Sequence, residues 1–285
     1  MRQLTSNGLP ISVDRAFFKP LRDSTPLLSD PDALRRRFHD DGYLHLRDVV
    51  DPDEVRALRA DYFSRFDPAY LRPGTEPACG VFSGQVPPDI PPHGWPGHPA
   101  HGFARSAGFT RFVEDPTLLH LAETLLGGPA TLLPRRIVRH FHQGSGSATR
   151  AHIDFDYLDG GSDRLVTMWI SLGDCSVDTG GLVYLEGSHR LSREQLMPLR
   201  EVTDRPDDPR PISHDLVWVA TRLGRRWMHT TSRAGDITLH NPRLIHASLD
   251  VAGDVMRLST DLRFVRRDDH VDNRWTAPWS GDDGN

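Results

Sequence analysis

An imidazole and a carboxylate lie two positions apart in residues 150–157, which read Arg-Ala-His-Ile-Asp-Phe-Asp-Tyr. On a β-strand, side chains two residues apart project from the same face, so His152 and Asp154 would point at one place. Two histidines and one carboxylate bind Fe(II) on one side and leave its other coordination positions open. The pair therefore predicts two of three iron ligands, and the third must be a histidine from elsewhere in the chain.

The His-x-Asp pattern occurs three times, at residues 39–41, 152–154 and 270–272, so by itself it is a weak signal. The first copy lies at the end of a predicted helix, where residues two apart do not face each other. The third lies in a polar tail after the last predicted strand. Only the middle copy, at residues 152–154, lies within the predicted β core, and this context favours it as the metal-binding pair.

The rest of the pattern lies in residues 235–246 and 257–261, which contain a Gly-Asp pair, His246 and, eleven residues later, Arg257. With these residues the chain resembles the phytanoyl-CoA dioxygenase-like group of Fe(II)/2-oxoglutarate oxygenases. In that family a His-x-Asp strand is followed by a Gly-Asp strand, a second histidine and an arginine at the same spacing. Residues 41–59, 167–172 and 180–189 also resemble family motifs, although Leu185-Glu186 replaces a pair that usually contains proline. The resemblance covers roughly residues 35–265.

The resemblance implies a role for each matched residue. His152, Asp154 and His246 would ligate Fe(II), and 2-oxoglutarate would chelate the iron through its keto-acid end. Arg257 would grip the far carboxylate of 2-oxoglutarate with the planar fork that lysine lacks, and Ser259 would add a hydroxyl. With O2 as co-substrate, oxidative decarboxylation would give succinate, CO2 and an oxidant that takes hydrogen from the substrate.

The second histidine has a rival in His240, six residues before His246. An unbroken strand would put both on one face, but Pro242 interrupts it. Only His246 keeps the family spacing to Arg257, so His246 is the predicted ligand.

Four further residues are predicted to line the pocket. Arg139 and Trp169 are expected beside the cosubstrate, whereas Asp156 and Phe141 are expected beside the substrate. Asp156 would be the next same-face position on the strand that carries His152. For Arg139, Phe141 and Trp169, simple packing is an equally good interpretation.

Other functions remain open from the sequence. One is a cupin-like sugar or metal binder without turnover, and another is a metal hydrolase, which would prefer zinc with more nitrogen ligands and an activated water. Iron dependence and succinate release would separate them from an oxygenase. The related halogenases carry a small residue where this chain has Asp154, so the carboxylate argues against halogenation.

Helices precede short strands along the chain. Helices are predicted to begin at Ser29, Asp51 and Asp115, where a capping side chain precedes or accompanies proline. Strands are predicted at residues 43–50, 137–142, 151–157, 165–172, 182–185, 236–240, 244–249 and 257–265. This order indicates a β-sandwich or barrel with helices packed on one side, and the resemblance implies a double-stranded β-helix (jelly-roll or cupin-like) core.

One catalytic domain is expected over residues 29–267, between an N-terminal arm (1–28) and a polar C-terminal tail (268–285). Residues 67–108 and 190–235 lack a period and are predicted to be lid or insert loops. Three histidines of the first loop share no face, so a covering loop is favoured over a metal site there: His93, His98 and His101.

Composition limits the partners of this 285-residue chain. A net charge of −5 argues against nucleic acid as the main partner. No apolar run approaches the roughly 18–20 residues of a membrane span, and the N-terminus leads into no secretion signal. Only Cys79 and Cys175 are present, which favours a reducing cytoplasm. The oligomeric state stays open.

The substrate is predicted to be a small polar metabolite that is hydroxylated or otherwise oxidatively tailored, for example by epimerisation or desaturation, in a biosynthetic pathway. Acids at positions 156, 159 and 163 and in the tail would favour a cationic substrate if they lined the pocket mouth. Solvated loops explain them equally well. A CoA thioester would need a basic cleft, for which Arg135-Arg136 and Arg225-Arg226 are weak candidates.

Overall fold

Two β-sheets form the centre of the molecule. The computed structural model describes residues 3–12, 14–146, 148–158, 161–200, 208 and 210–280. The strands are β1 (Leu4–Ser6), β2 (Leu9–Ile11), β3 (Phe18–Pro20), β4 (Tyr43–Leu46), β5 (Ala130–Leu132), β6 (Ile137–Phe141), β7 (Leu165–Ser171), β8 (Leu182–Leu185), β9 (Trp227–His229), β10 (Ile237–His240), β11 (His246–Ser248) and β12 (Arg257–Arg266). The larger sheet has the order β4-β10-β7-β12-β5, with β6 also paired to β12, and the smaller sheet has the order β11-β8-β9-β3.

Helices cover the outer faces of both sheets. They are α1 (Pro31–Asp41), α2 (Pro52–Phe63), α3 (Pro99–Ala104), α4 (Ala107–Val113), α5 (Pro116–Leu126), α6 (Arg193–Arg200) and α7 (Leu216–Leu223). Helices α1 to α5 share one apolar core with the larger sheet, and α6 and α7 share another with the smaller sheet. The two inner faces meet around Trp169 and Tyr184. This is the predicted mainly β fold, a double-stranded β-helix with flanking helices.

Strand β12 shows how the larger sheet separates its two faces. Alternate side chains belong to the apolar core beneath helices α1 to α5: Leu258, Leu262 and Phe264. The side chains between them project into the space between the sheets because strand residues alternate in direction. They are all polar and all buried: Arg257, Ser259, Asp261 and Arg263.

The prediction of a strand over residues 151–157 is wrong. Ala151 and His152 form only single antiparallel bridges, to Ser213 and His246. A 3-10 helix then follows at Asp154–Tyr157. The alternation of side chains therefore stops just after His152, and Asp156 does not share its face.

Several segments predicted to be irregular contain short regular elements. The arm holds the β1–β2 hairpin and β3, which pairs in parallel with β9. Residues 67–108 contain α3, and residues 190–235 contain α6, α7 and β9. The tail buries Trp275 and Trp279. These elements are too short to show a period, and the division into arm, domain and tail stays a prediction.

The starts of two predicted helices are confirmed, and the third is shifted by one residue. Asp51 and Asp115 cap α2 and α5 through their side chains. Asp30, rather than Ser29, caps α1 by accepting from the Ala33 backbone N–H. A carboxylate is the better acceptor at this position because it also meets the positive end of the helix dipole.

A buried arginine joins α2 to the sheet. The Arg59 side chain donates through Nε to Ala78 O at 2.8 Å and through Nη1 to Leu172 O at 3.0 Å. Its Nη2 donates to Met256 O at 2.7 Å and to Cys79 O at 3.3 Å. Burial lowers the pKa of Arg59 to about 10, so the group remains charged at neutral pH. One side chain therefore satisfies four backbone carbonyls.

We predict that Arg59→Leu lowers the free energy of unfolding by about 3–5 kcal/mol, because four carbonyls lose a charged donor inside the protein. Urea unfolding followed by circular dichroism measures this. Arg56→Leu, on the exposed side of the same helix, is the matched control and should cost about 0.5 kcal/mol or less. Equal losses in the two variants would contradict the role of Arg59.

Candidate functional site

Two histidines meet across a short backbone pairing. The His152 N–H donates to His246 O at 3.0 Å, and the His246 N–H donates to His152 O at 3.1 Å. Directly paired residues project from the same face, and the two ring centroids lie 4.1 Å apart. The strand β11 and the residue bridged to it therefore bring together imidazoles that are 94 positions apart in the sequence.

Each ring is oriented by a backbone carbonyl two residues earlier. His152 Nδ1 lies 2.8 Å from Arg150 O, and His246 Nδ1 lies 3.0 Å from Leu244 O. Because a carbonyl only accepts, each Nδ1 donates its N–H and leaves the Nε2 lone pair free for a metal. Burial lowers the pKa of His246 well below its usual range, so this ring is neutral, as a metal ligand must be.

Asp154 supplies the third ligand group from the first turn of the 3-10 helix. Its Oδ1 lies 3.6 Å from His152 Nε2 and 3.7 Å from His246 Nε2. The ligand atoms of the three residues all lie within 4.8 Å of one another. This arrangement could hold one metal ion on a single side, as the sequence predicts, although Asp154 comes from a helical turn instead of a strand.

Three further side chains hold the carboxylate of Asp154. Arg263 Nη2 donates to Oδ1 at 3.0 Å, and Thr167 Oγ1 donates to Oδ2 at 2.6 Å. His240 Nε2 lies 3.3 Å from the same Oδ2. Burial alone would raise the pKa of Asp154, but the charge of Arg263 outweighs it, and the pKa lies well below its usual value. The Asp154 side chain is therefore a carboxylate anion.

Sequence reasoning missed Thr167 and Arg263. Both lie on inward-facing positions of neighbouring strands, and the register pairs them directly. Arg263 could have been found, because it follows Arg257 by six positions on one strand and so shares its face. Nothing in the sequence indicates that Thr167 reaches Asp154.

His240 does not belong to the ligand group. Its Nε2 approaches Oδ2 of Asp154, whereas His152 and His246 approach Oδ1. Its ring centroid lies 4.6 Å from that of His246. His246 stays the predicted ligand, and His240 contacts the carboxylate of Asp154 from its other oxygen.

A second group of buried polar atoms lies on β12. Arg257 is 1% exposed, donates through Nη1 to Gly180 O, and stacks over the Phe141 ring at 4.3 Å. Its Nε and Nη2, together with Ser259 Oγ, have no hydrogen-bond partner among the described residues. Burial lowers the pKa of Arg257 to about 10, so it remains a cation. These unpaired donors fit a carboxylate that arrives with a bound cosubstrate.

The other predicted pocket residues have different outcomes. Arg139 binds Asp261 through Nε at 2.6 Å and lines a cavity beside the histidines. Trp169 is buried opposite Asp261, and its Nε1 lacks a partner among the described residues. The expectation that Asp156 shares a strand face with His152 is wrong, because a 3-10 helix begins at Asp154, and Asp156 lines a separate cavity with Phe155.

The cavity beside the metal ligands has a volume of about 220 Å³ and includes His152 and Asp154 in its wall. Its polar lining is mainly basic: Arg135, Arg139, Arg150, Arg263 and Arg274. None of the described acids at the predicted pocket mouth lines this cavity. Asp163 pairs with Arg243 and Asp269 pairs with Arg164 at the surface, and positions 159, 282 and 283 lie outside the described residues.

A double-stranded β-helix with two histidines, one carboxylate and a buried arginine between its sheets defines an Fe(II)/2-oxoglutarate-dependent dioxygenase. The profile of the phytanoyl-CoA dioxygenase family (PhyH) matches residues 38–259. The chain belongs to this family, and its cofactors are Fe(II) and 2-oxoglutarate. Across the described residues, no helix is long and apolar enough to cross a membrane.

Known relatives match over most of the chain. The 1-deoxypentalenic acid 11-beta-hydroxylase of Streptomyces arenae is 24% identical over 278 residues, which are 92% of this chain and 90% of the relative. The epimerase SnoN from nogalamycin biosynthesis, solved with Fe3+ and alpha-ketoglutarate, has a TM-score of 0.58, 22% identity and coverage of 85% and 86%. EctD from S. alaskensis, solved with 2-oxoglutarate and 5-hydroxyectoine, has a TM-score of 0.58, 18% identity and coverage of 96% and 86%. The two structures share the fold of this chain.

We predict that His246→Ala loses its Fe(II) during gel filtration, whereas His240→Ala binds Fe(II) only about 10-fold more weakly than the unaltered protein. The first change removes a ligand atom, and the second removes a group that orients a ligand. Anaerobic metal titration of both variants measures the difference. If His240→Ala lost the iron and His246→Ala kept it, the assignment of the ligand would be reversed.

Proposed function

We propose that His152, Asp154 and His246 bind Fe(II) and that Arg257 and Ser259 bind the far carboxylate of 2-oxoglutarate. The observation that carries this proposal is a three-residue ligand group in the same inter-sheet space as an arginine with unpaired buried donors. A protein that only binds a metal or a sugar has no need of that arginine. We also propose that Trp169 and Arg139 line the cosubstrate site. The Phe141 ring stacks against the Arg257 guanidinium and helps to hold it in place.

The reaction we propose is hydroxylation of a small metabolite in a biosynthetic pathway. Bound Fe(II), with 2-oxoglutarate and O2, supplies an oxidant for an unactivated C–H bond, and 2-oxoglutarate is converted to succinate and CO2. The protein contributes placement and exclusion of water. Hydroxylation is favoured over epimerisation because the sequence relative that matches nine-tenths of the chain is named as a hydroxylase.

The three ligand residues have distinct tasks in this proposal. The carbonyls behind His152 and His246 hold each Nε2 toward the metal, and Thr167 and His240 hold Oδ2 of Asp154 so that Oδ1 faces it. Ligands on one side only leave the remaining positions for cosubstrate and oxygen. Preorganised side chains of this kind avoid reorganisation during the reaction.

We also propose that the protein works in the cytoplasm on a small molecule and not on nucleic acid. Cys79 and Cys175 are both free, which suits a reducing compartment. The net charge of −5 gives no basic field for a phosphate backbone.

The experiment follows succinate formation from 2-oxoglutarate in the presence of Fe(II) and O2. Arg257→Gln should raise the 2-oxoglutarate concentration for half-maximal rate about 100-fold with Fe(II) binding nearly unchanged, because it removes a charged two-point grip. For Arg257→Lys, this 2-oxoglutarate concentration should lie between the values of the unaltered protein and of Arg257→Gln, since lysine keeps the charge but lacks the planar fork. Asp154→Ala should form no succinate.

The control is Asp41→Ala, in the His-x-Asp copy that ends helix α1, which should leave succinate formation intact. An unaltered 2-oxoglutarate requirement in Arg257→Gln would remove that residue from its proposed role. Activity supported by zinc without succinate release would instead favour a metal hydrolase.

A further inference from the structure

The cavity beside the proposed metal ligands has an unusual charge balance. Five arginines line it, against two aspartates, Asp154 and Asp208. Both acids already have cationic partners. Asp208 accepts from Arg210 Nε at 2.6 Å and from Nη2 at 3.0 Å, and Asp154 accepts from Arg263. Asp154 pairs with one wall arginine, Arg263, and Arg139 pairs with Asp261, so arginines still outnumber aspartates among the residues that line the cavity.

Three of the arginines surround one aromatic ring. Trp275, whose Nε1 donates to Tyr157 O at 2.9 Å, has guanidinium carbons near its ring centroid. Those of Arg263, Arg135 and Arg274 lie at 4.3, 5.8 and 5.8 Å. Cations stack favourably on an indole, but three of them around one ring repel each other. An anion in the adjoining cavity would offset that repulsion.

Two of these arginines also have donors without acceptors. Arg263 is 4% exposed, and its Nε and Nη1 have no hydrogen-bond partner in the described part of the chain. The same holds for Arg274 Nε, whereas its Nη2 donates to Tyr157 O. Buried N–H groups without acceptors are costly, and in a binding site the ligand can supply the missing acceptors.

We propose that this cavity binds a carboxylate group of the substrate, with Arg263 and Arg274 as its main partners. The inference deepens the proposed function and rests on it, because the same cavity contains His152 and Asp154. It replaces the expectation of a cationic substrate. Among the described acids that suggested that expectation, none lines this cavity: Asp156 lines a different one, and Asp163 and Asp269 pair with Arg243 and Arg164.

The proposal also fixes the orientation of the substrate. Arg263 donates to Oδ1 of Asp154, the oxygen that faces both histidine Nε2 atoms, so an acid group bound by Arg263 lies close to the metal position. Arg274 lines the same cavity, with its guanidinium carbon 5.8 Å from the centroid of the Trp275 ring. The oxidised carbon therefore belongs to the part of the substrate that carries the acid group.

The test compares acids with their uncharged amides of the same shape. The probes are acetate, cyclohexanecarboxylate and adamantane-1-carboxylate, each with its primary amide, so that the series spans small to cavity-filling sizes. Each is titrated by calorimetry into the protein loaded anaerobically with Fe(II) and saturating 2-oxoglutarate. We expect at least one acid to bind about tenfold or more tightly than its amide, as one charged hydrogen bond provides.

Arg274→Gln should remove that preference and leave amide binding unchanged. Arg222→Gln, which makes the same charge change on an exposed position of α7, is the control and should keep the preference. If Arg274→Gln does not fold, the comparison of acid with amide in the unaltered protein still tests whether the cavity prefers an anion.

Two results would overturn the proposal. One is that no acid in the series binds more tightly than its amide, and the other is that the preferred acid displaces 2-oxoglutarate, which would put it in the cosubstrate site. Neither depends on turnover. A protein that binds acids in this cavity but forms no succinate would contradict the proposed function and leave the anion site standing.

Discussion

The burial of one carboxylate constrains the rest of this structure. Asp154 is 2% exposed, and an isolated charge at such a depth would be prohibitively costly. Its two oxygens are held by a guanidinium, a hydroxyl and an imidazole from strands β12, β7 and β10. The inner face of the larger sheet is polar at these positions because that carboxylate must be satisfied there. Together these contacts fix the carboxylate of Asp154 so that its Oδ1 lies near the Nε2 atoms of His152 and His246.

The two faces of the larger sheet therefore have different roles: the outer face forms the apolar core, and the inner face carries the polar side chains of the site. Its outer face packs leucine, phenylalanine and methionine side chains against helices α1 to α5, and this core provides most of the apolar burial. Its inner face presents Arg257, Ser259, Asp261 and Arg263 toward the smaller sheet. A rigid, well-packed outer side allows the inner side to hold unpaired donors and buried charges, which would otherwise destabilise a sheet.

Much of this arrangement was accessible from the sequence. His152, Asp154, His246 and Arg257 were predicted because their spacing matches the family pattern, and a strand was predicted over residues 257–265, where β12 lies. The 3-10 helix at Asp154–Tyr157 was not predicted, since its residues also suit a strand. Only the contacts with the neighbouring loop, such as the Phe155 N–H to Pro242 O bond of 2.9 Å, show that the chain turns there.

The basic cavity could not be predicted for a different reason. Its arginines come from residues 135–274, and arginine provides nearly all positive charge in this chain, so their abundance carries no positional information. In the described part of the tail, residues 268–280, the buried residues are Trp275 and Trp279, and most of the others are polar, so the sequence of this segment gives little sign that it packs on the domain. Convergence of distant segments on one ring is a property of the tertiary structure, and no local period encodes it.

The central claim is that 2-oxoglutarate binds to Fe(II) held by His152, Asp154 and His246. The most direct measurement is an anaerobic titration of 2-oxoglutarate into the Fe(II)-loaded protein, followed through the weak visible charge-transfer band of a keto acid chelated to iron. We expect the band to appear with the unaltered protein and to be absent with Asp154→Ala. If iron binds and the band never appears, the chain shares the fold of the family without its cosubstrate chemistry.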